Sequence, residues 1–197
     1  MVKSMASCAI MLGLCGCSSN RQETQETNLE KPVADKVFAS GGNIEMQLDG
    51  GNYVIRPAAE DRIRAAFGGN TGNAGAEITS NGTQANLAVK DTPQNNFKAS
   101  IEVPKASNLV IHLKAGNLEL RGITGNKDID SGAGNVEIAA GDPNDYSRVD
   151  ASVKVGSIDA GAFGKSESGI APHFTWTGQG KYTLHATLGA GNLELKK

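Results

Sequence analysis

Short runs in which apolar and polar residues alternate mark this chain, each opened by a turn. One phrase recurs: Gly42-Asn43-Ile44-Glu45-Met46, Gly116-Asn117-Leu118-Glu119-Leu120 and Gly134-Asn135-Val136-Glu137-Ile138. Looser copies are Gly156-Ser157-Ile158-Asp159-Ala160 and Gly191-Asn192-Leu193-Glu194-Leu195. Period-two alternation puts both apolar side chains on one face of a strand and the carboxylate on the other. Gly and Asn tolerate positive φ and turn the chain before each strand. The middle copies are 18 and 22 residues apart, the step expected for coils of a β-solenoid. The longer gaps must hold unmarked coils or hairpins. Candidate strands there are Tyr53 to Arg56, Glu77 to Thr79, Ala85 to Val89, Ala99 to Val103 and Leu109 to Leu113, with Asn81-Gly82 as a hairpin turn. Ala58 to Phe67 reads either as a short helix, from its Ala, Glu and Arg, or as a strand, from the alternation of Ile63, Ala65 and Phe67. The strand is favoured.

Phe174-Thr175-Trp176-Thr177-Gly178-Gln179-Gly180-Lys181-Tyr182-Thr183-Leu184 reads as two strands across a Gly-x-Gly turn. Phe174 and Trp176 share one face, while Tyr182 aligns with Leu184, Ala186 and Leu188. A bulky cap closing one end of the stack is the favoured reading. The alternative is an aromatic binding surface of Phe174, Trp176 and Tyr182.

The first residues behave differently. Lys3 precedes an apolar stretch from Ala6 to Leu14, about half the roughly 20 residues a membrane-spanning helix needs. It therefore reads as a signal peptide. Leu14-Cys15-Gly16-Cys17 resembles the bacterial lipobox. That resemblance implies cleavage after residue 16, a lipidated Cys17 as the mature N-terminus, and membrane anchoring through acyl chains. Cys15 stands where the motif more often has Ala, Ser or Thr, and the single Lys3 is a second small departure. Ser18 in place of Asp implies delivery to the outer membrane. Residues 17–35, with one Leu and one Val among Gln, Glu, Thr and Asn, bury too little to offset their ordering entropy and read as a tether. Residues 36–197 form the folded domain.

The repeated units, Ile101-Glu102-Val103-Pro104 and Phe174-x-Trp176-x-Gly178-x-Gly180-x-Tyr182 together resemble the adhesin-like β-solenoid families, notably the domain of unknown function numbered 4097 and its autotransporter-adhesin-head-like relatives. The resemblance covers roughly Gly41 to Leu195. It implies an all-β, right-handed parallel β-helix or roll with no established reaction.

Composition agrees with a turn-rich β protein: 25 glycines and 16 asparagines in 197 residues, with 5% aromatics. A net charge of −2 gives no reason to expect nucleic-acid binding. The three cysteines, Cys8, Cys15 and Cys17, all precede the domain, so it has no disulfide, thiolate nucleophile or Cys-based zinc site.

Catalytic patterns fail at specific positions. Gly164-Lys165-Ser166 has Asp159 where a phosphate-binding loop needs Gly. Gly164-Lys165-Ser166-Glu167-Ser168 lacks the last Gly of a nucleophile elbow. Asp128-Ile129-Asp130 opens like a calcium loop, yet its twelfth position is Ala139. Gly141-Asp142-Pro143-Asn144-Asp145 reads as a plain turn. His112, His173 and His185 show no metal-ligand spacing, and His112 and His185 are expected to face solvent. Glu45, Glu119, Glu137, Asp159 and Glu194 read as a solubilising outer face rather than glycosidase carboxylates. Because stacked like charges repel, Lys and Asn are expected between them.

These readings point to a non-catalytic cell-envelope lipoprotein without cofactor or metal. It is anchored in the outer membrane, facing the periplasm or the cell surface, and presents a β surface for adhesion or envelope interaction with an extracellular glycan or protein. The alternatives are a carbohydrate-active β-helix enzyme and a periplasmic scaffold.

Overall fold

The computed structural model describes residues 32–197, so the signal peptide, Cys17 and most of the expected tether lie outside the described residues. The described chain forms strands β1 (Ala34–Val37), β2 (Asn43–Leu48), β3 (Gly51–Pro57), β4 (Arg62–Gly69), β5 (Gly75–Asn81), β6 (Gln84–Lys90) and β7 (Phe97–Val103). It continues through β8 (Asn108–Leu113), β9 (Gly116–Leu120), β10 (Lys127–Ala139), β11 (Tyr146–Ala160), β12 (Lys165–Ile170), β13 (His173–Thr177) and β14 (Tyr182–Lys196). Two single 3-10 turns, Pro143–Asp145 and Gly161–Phe163, complete it. Every strand expected from alternation is present, and β4 is the strand favoured for Ala58 to Phe67, beginning at Arg62.

One mixed sheet folds over into two walls and nearly closes on itself. In the first wall β6, β2, β8 and the leading halves of β10, β14 and β11 pair in parallel. The second wall contains β7, β3, β9 and the trailing halves of the same three long strands, again parallel. Antiparallel strands finish the ends: β5 on β6, β4 on β7 with β1 on β4, and β12 and β13 on β11. Of the expected parallel β-helix or roll, the all-β class holds, while the strands are mixed: parallel in the interior and antiparallel at the ends. The layers also do not follow chain order: β2–β3 lies inside β6–β7, and β14 sits between β10 and β11.

Between the walls the alternating apolar residues meet in flat layers. Met46, Ile111, Ile129, Ala186 and Ala151 form one such layer through directly paired positions, and all are buried. The corner joining the walls needs glycine. Gly116, Gly134, Gly191 and Gly156 stack with φ between +126° and +144°. A Cβ on Gly134 would overlap the Gly116 carbonyl oxygen, so the repeated glycine sets both backbone hand and interlayer approach.

Candidate interaction faces

Beyond the corner the second wall carries an amide ladder on its outer face. Asn117 donates to Asn52 Oδ1 at 2.7 Å, Asn135 to Asn117 Oδ1 at 3.0 Å and Asn192 to Asn135 Oδ1 at 2.9 Å. The Ser157 hydroxyl continues it to Asn192 Oδ1 at 2.7 Å. Two residues along, Glu119, Glu137, Glu194 and Asp159 are direct neighbours in register. This corrects the expectation that Lys and Asn separate the stacked acids. The units share one glycine corner and one core layering, so the fourth residue of each falls in the same row whatever its charge. Compensation comes instead from the ends of the strands. Arg121 pairs with Glu119, and Lys196 Nζ lies 3.0 Å from Glu137 and 3.3 Å from Glu194. The hydrogen bond to Glu137, aided by that to Glu194, raises the Lys196 pKa.

Four of the five recognised units occupy this column; the Gly42-Asn43 unit does not. It belongs to the first wall, where Asn108 donates to Asn43 Oδ1 at 2.9 Å and the Asn126 amide to Asn108 Oδ1 at 2.9 Å. The second-wall place is taken by Gly51-Asn52-Tyr53-Val54-Ile55, hidden in the sequence because Val54 replaces the acid. A further unit, Gly125-Asn126-Lys127-Asp128-Ile129, was hidden because Lys127 stands at an apolar position.

On the outer face of the first wall the three histidines share two adjacent rows. Val110, Asp128, His185, Asp150 and Thr175 form one; His112, Asp130, Thr187, Ser152 and His173 form the other. His185 is exposed as expected, and His112 is half-buried. Asp150 is a hub, accepting from Arg148 at 2.9 Å, 3.1 Å from His173 Nε2 and 3.9 Å from His185 Nδ1. Arg148 first, then His173, holds its carboxyl below the usual range against the opposing effect of desolvation. Thr187 Oγ1 lies 3.3 Å from His185 Nε2 and accepts from Ser152 at 3.4 Å. These residues come from β11, β13 and β14, so no local spacing announced the group. Among the described residues no set of three or more His, Cys, Asp and Glu is placed to hold a metal ion.

At the corner lies an open trough whose rim residues are mostly polar or charged. One part, about 690 Å³, is lined by Gln47, Asp49, Lys90, Asp91, His112, Lys114 and Asp130 over Leu48, Val89, Leu113 and Gly132. A second part, about 460 Å³, shares Asp49 and Lys114 and runs past Asn52, Thr92 and Gln94. Lys114 Nζ is 2.6 Å from Asp49 Oδ1, and Asp49 Oδ2 also accepts the Asp91 amide at 2.9 Å.

The aromatic residues sit at the β11 end. Phe174 is buried, so its ring is not open to a ligand; Trp176 and Tyr182 are half-buried. Phe163 packs 5.8 Å from Phe174 and 5.3 Å from Trp176 between ring centroids. Gly178 leaves room for the Trp176 ring, and Gly180 lets the chain pass against the Asp145–Tyr146 backbone. Phe163, Phe174 and Trp176 thus pack on one another at this end of the stack. The Gly141–Asp145 segment is a turn, with Asp142 Oδ1 accepting the Asn144 amide at 2.9 Å.

No family model matches the chain, and no curated protein matches it. Among solved structures, the fold resembles that of a "putative cell adhesion protein" from Clostridium sporogenes, with a TM-score of 0.52 at 13% identity, covering 84% of this chain and 99% of that one. A looser likeness is to a "putative adhesin" from Bacteroides fragilis, with a TM-score of 0.26 at 11% identity, covering 84% of this chain and 97% of that one. The first likeness shows a shared all-β fold. Among the described residues no helix is long and apolar enough to cross a membrane.

Proposed function

We propose that this chain is a non-catalytic cell-envelope lipoprotein, held by acyl chains on Cys17, whose solenoid-like domain offers its outer faces for adhesion or envelope contact. The observation that carries the reading is the in-register arrangement of outward polar side chains. Amides, carboxylates and imidazoles from strands far apart in sequence line up in continuous rows on a rigid backbone. Such faces suit broad hydrogen-bonded contact with an extended surface or polymer. The shared fold with the Clostridium sporogenes protein agrees with an adhesive role, Leu14-Cys15-Gly16-Cys17 supports lipidation, and Ser18 supports the outer-membrane address. A right-handed parallel winding of the interior strands is part of the same proposal.

The test is protease accessibility of the domain on intact cells, with Cys17→Ala as control. Cleavage of membrane-associated protein on intact cells, with release of Cys17→Ala from the membrane fraction, is the expected result. Protection until the outer membrane is permeabilised overturns surface display, and unchanged membrane association of Cys17→Ala overturns the lipid anchor.

A further inference from the structure

We propose that the corner trough binds a neutral, extended polyhydroxylated chain, an uncharged oligosaccharide. This deepens the adhesion reading and rests on it. The two parts of the trough share the Asp49–Lys114 pair; the first crosses β6, β2, β8 and β10, and the second continues over the starts of β3 and β9. Four strands about 4.8 Å apart give a length of roughly 14 Å, suited to a short oligosaccharide.

Its lining selects against other ligands. The apolar residues beneath it, Leu48, Val89 and Leu113, are at most 3% exposed, so no socket receives the apolar anchor of a peptide. Asp49 and Lys114 neutralise each other. Lys90 faces the same space as Asp91 and Asp130, leaving little net charge to draw a polyanion or a cation. What remains is a mixed set of acceptors (Asp91, Asp130), donors (Lys90) and groups that do both (Gln47, His112, Gln94). Sugar hydroxyls, which donate and accept at once, match that set.

One wall is built before any ligand arrives. The Asp91 amide is bound to Asp49, and Thr92 Oγ1 donates to the Gly50 carbonyl at 2.7 Å. Asp91 and Asn96, which bracket this segment, are two of the three non-glycine residues with positive φ among the described residues, at 57° and 54°. Strain of this kind persists where surrounding contacts over-determine the backbone. A wall fixed in advance lowers the ordering cost of binding.

The experiment is an NMR titration of the purified full chain with three neutral probes: cellotriose, maltotriose and triacetylchitotriose. At least one is expected to shift the amides of Asp91, His112 and Asp130 saturably, with Kd about 1 mM or tighter. Asp130→Ala and His112→Ala should each weaken that binding by about tenfold, the loss of a hydrogen bond to a charged or polar partner. Thr175→Ala, on the same wall outside the trough, should leave it unchanged. The amide spectrum of each variant reports its fold directly. No saturable shift with any of the three probes, shifts confined to the Trp176–Tyr182 edge, or full affinity in both trough variants overturns the assignment. Surface display without trough binding removes this site and leaves the adhesion reading. Trough binding by a domain protected on intact cells does the reverse.

Discussion

Lys127 Nζ lies 3.3 Å from the Tyr146 hydroxyl, inside the walls rather than outside them. The lysine occupies a core layer whose other members are Ile44, Leu109, Leu184 and Val149. Its ammonium donates to the Gly125 carbonyl at 3.1 Å and lies 5.5 Å from the Tyr146 ring centroid. Burial lowers its pKa to about 8, against a smaller upward pull from Asp145. The unfolded chain keeps that proton to about pH 10.4, so it binds more protons than the folded chain between pH 8 and 10, and stability rises across that window. Above pH 10 the trend reverses, because burial raises the Tyr146 pKa to about 12 and the unfolded chain ionises first. Lys127→Met is expected to raise stability at pH 7 by about 2 kcal/mol, since a charge displaced this far costs on the order of 3 kcal/mol. Denaturant unfolding at pH 7 and pH 9.5 checks this; an equal rise between the two pH values in the variant refutes it.

The glycine corner separates backbone strain from steric overlap. At Gly134 a side chain meets both a φ of +128° and the Gly116 carbonyl; at Gly141 (φ +78°) nothing lies within 4 Å. Gly134→Ala should cost on the order of 3 kcal/mol or more, and Gly141→Ala about 1 kcal/mol. Urea midpoints compare them, and equal losses would mean that close layer stacking does not require the ladder glycine.

Carboxylates stacked in one row repel. Glu194 has Glu137 on one side and Asp159 on the other, and shares Lys196 with Glu137. Glu194→Gln is expected to stabilise the domain by a few tenths of a kcal/mol at low ionic strength, the gain fading in high salt. Thermal melts at two salt concentrations decide it; a loss at low salt would show that the Lys196 bridge outweighs two repulsions.

Ser131 is a different kind of exception. It sits in the layer of Leu48, Leu113, Leu188 and Val153, 1% exposed, with no partner for its hydroxyl. An unmet buried hydroxyl costs about 1–3 kcal/mol. Ser131→Ala should therefore stabilise by about 1 kcal/mol, and a lower unfolding midpoint would mean that the hydroxyl has a partner in solution.

Much of the architecture was legible in the residues. Period-two alternation located the strands because a half-buried strand must separate its faces. The glycines of four units marked the corner because few other residues adopt positive φ, whereas the asparagines that follow them lie in the strands without it and build the amide ladder instead. In the aromatic run the glycines follow a related logic: Gly178 leaves space for the Trp176 ring and Gly180 for a passing backbone. Two units went unseen, since Val54 and Lys127 break the polarity pattern while keeping the position.

What the sequence by itself determined was local: which residues turn, which alternate, and which side of each strand faces the core. Only the tertiary structure decided which strands are neighbours. Layer order depends on crossovers such as that placing β14 between β10 and β11, and no local period encodes those. For the same reason the carboxylate row, the Asp150 cluster and the corner trough emerged only in three dimensions. Their members lie tens of residues apart and meet because in-register stacking turns equal positions in separate strands into contacts.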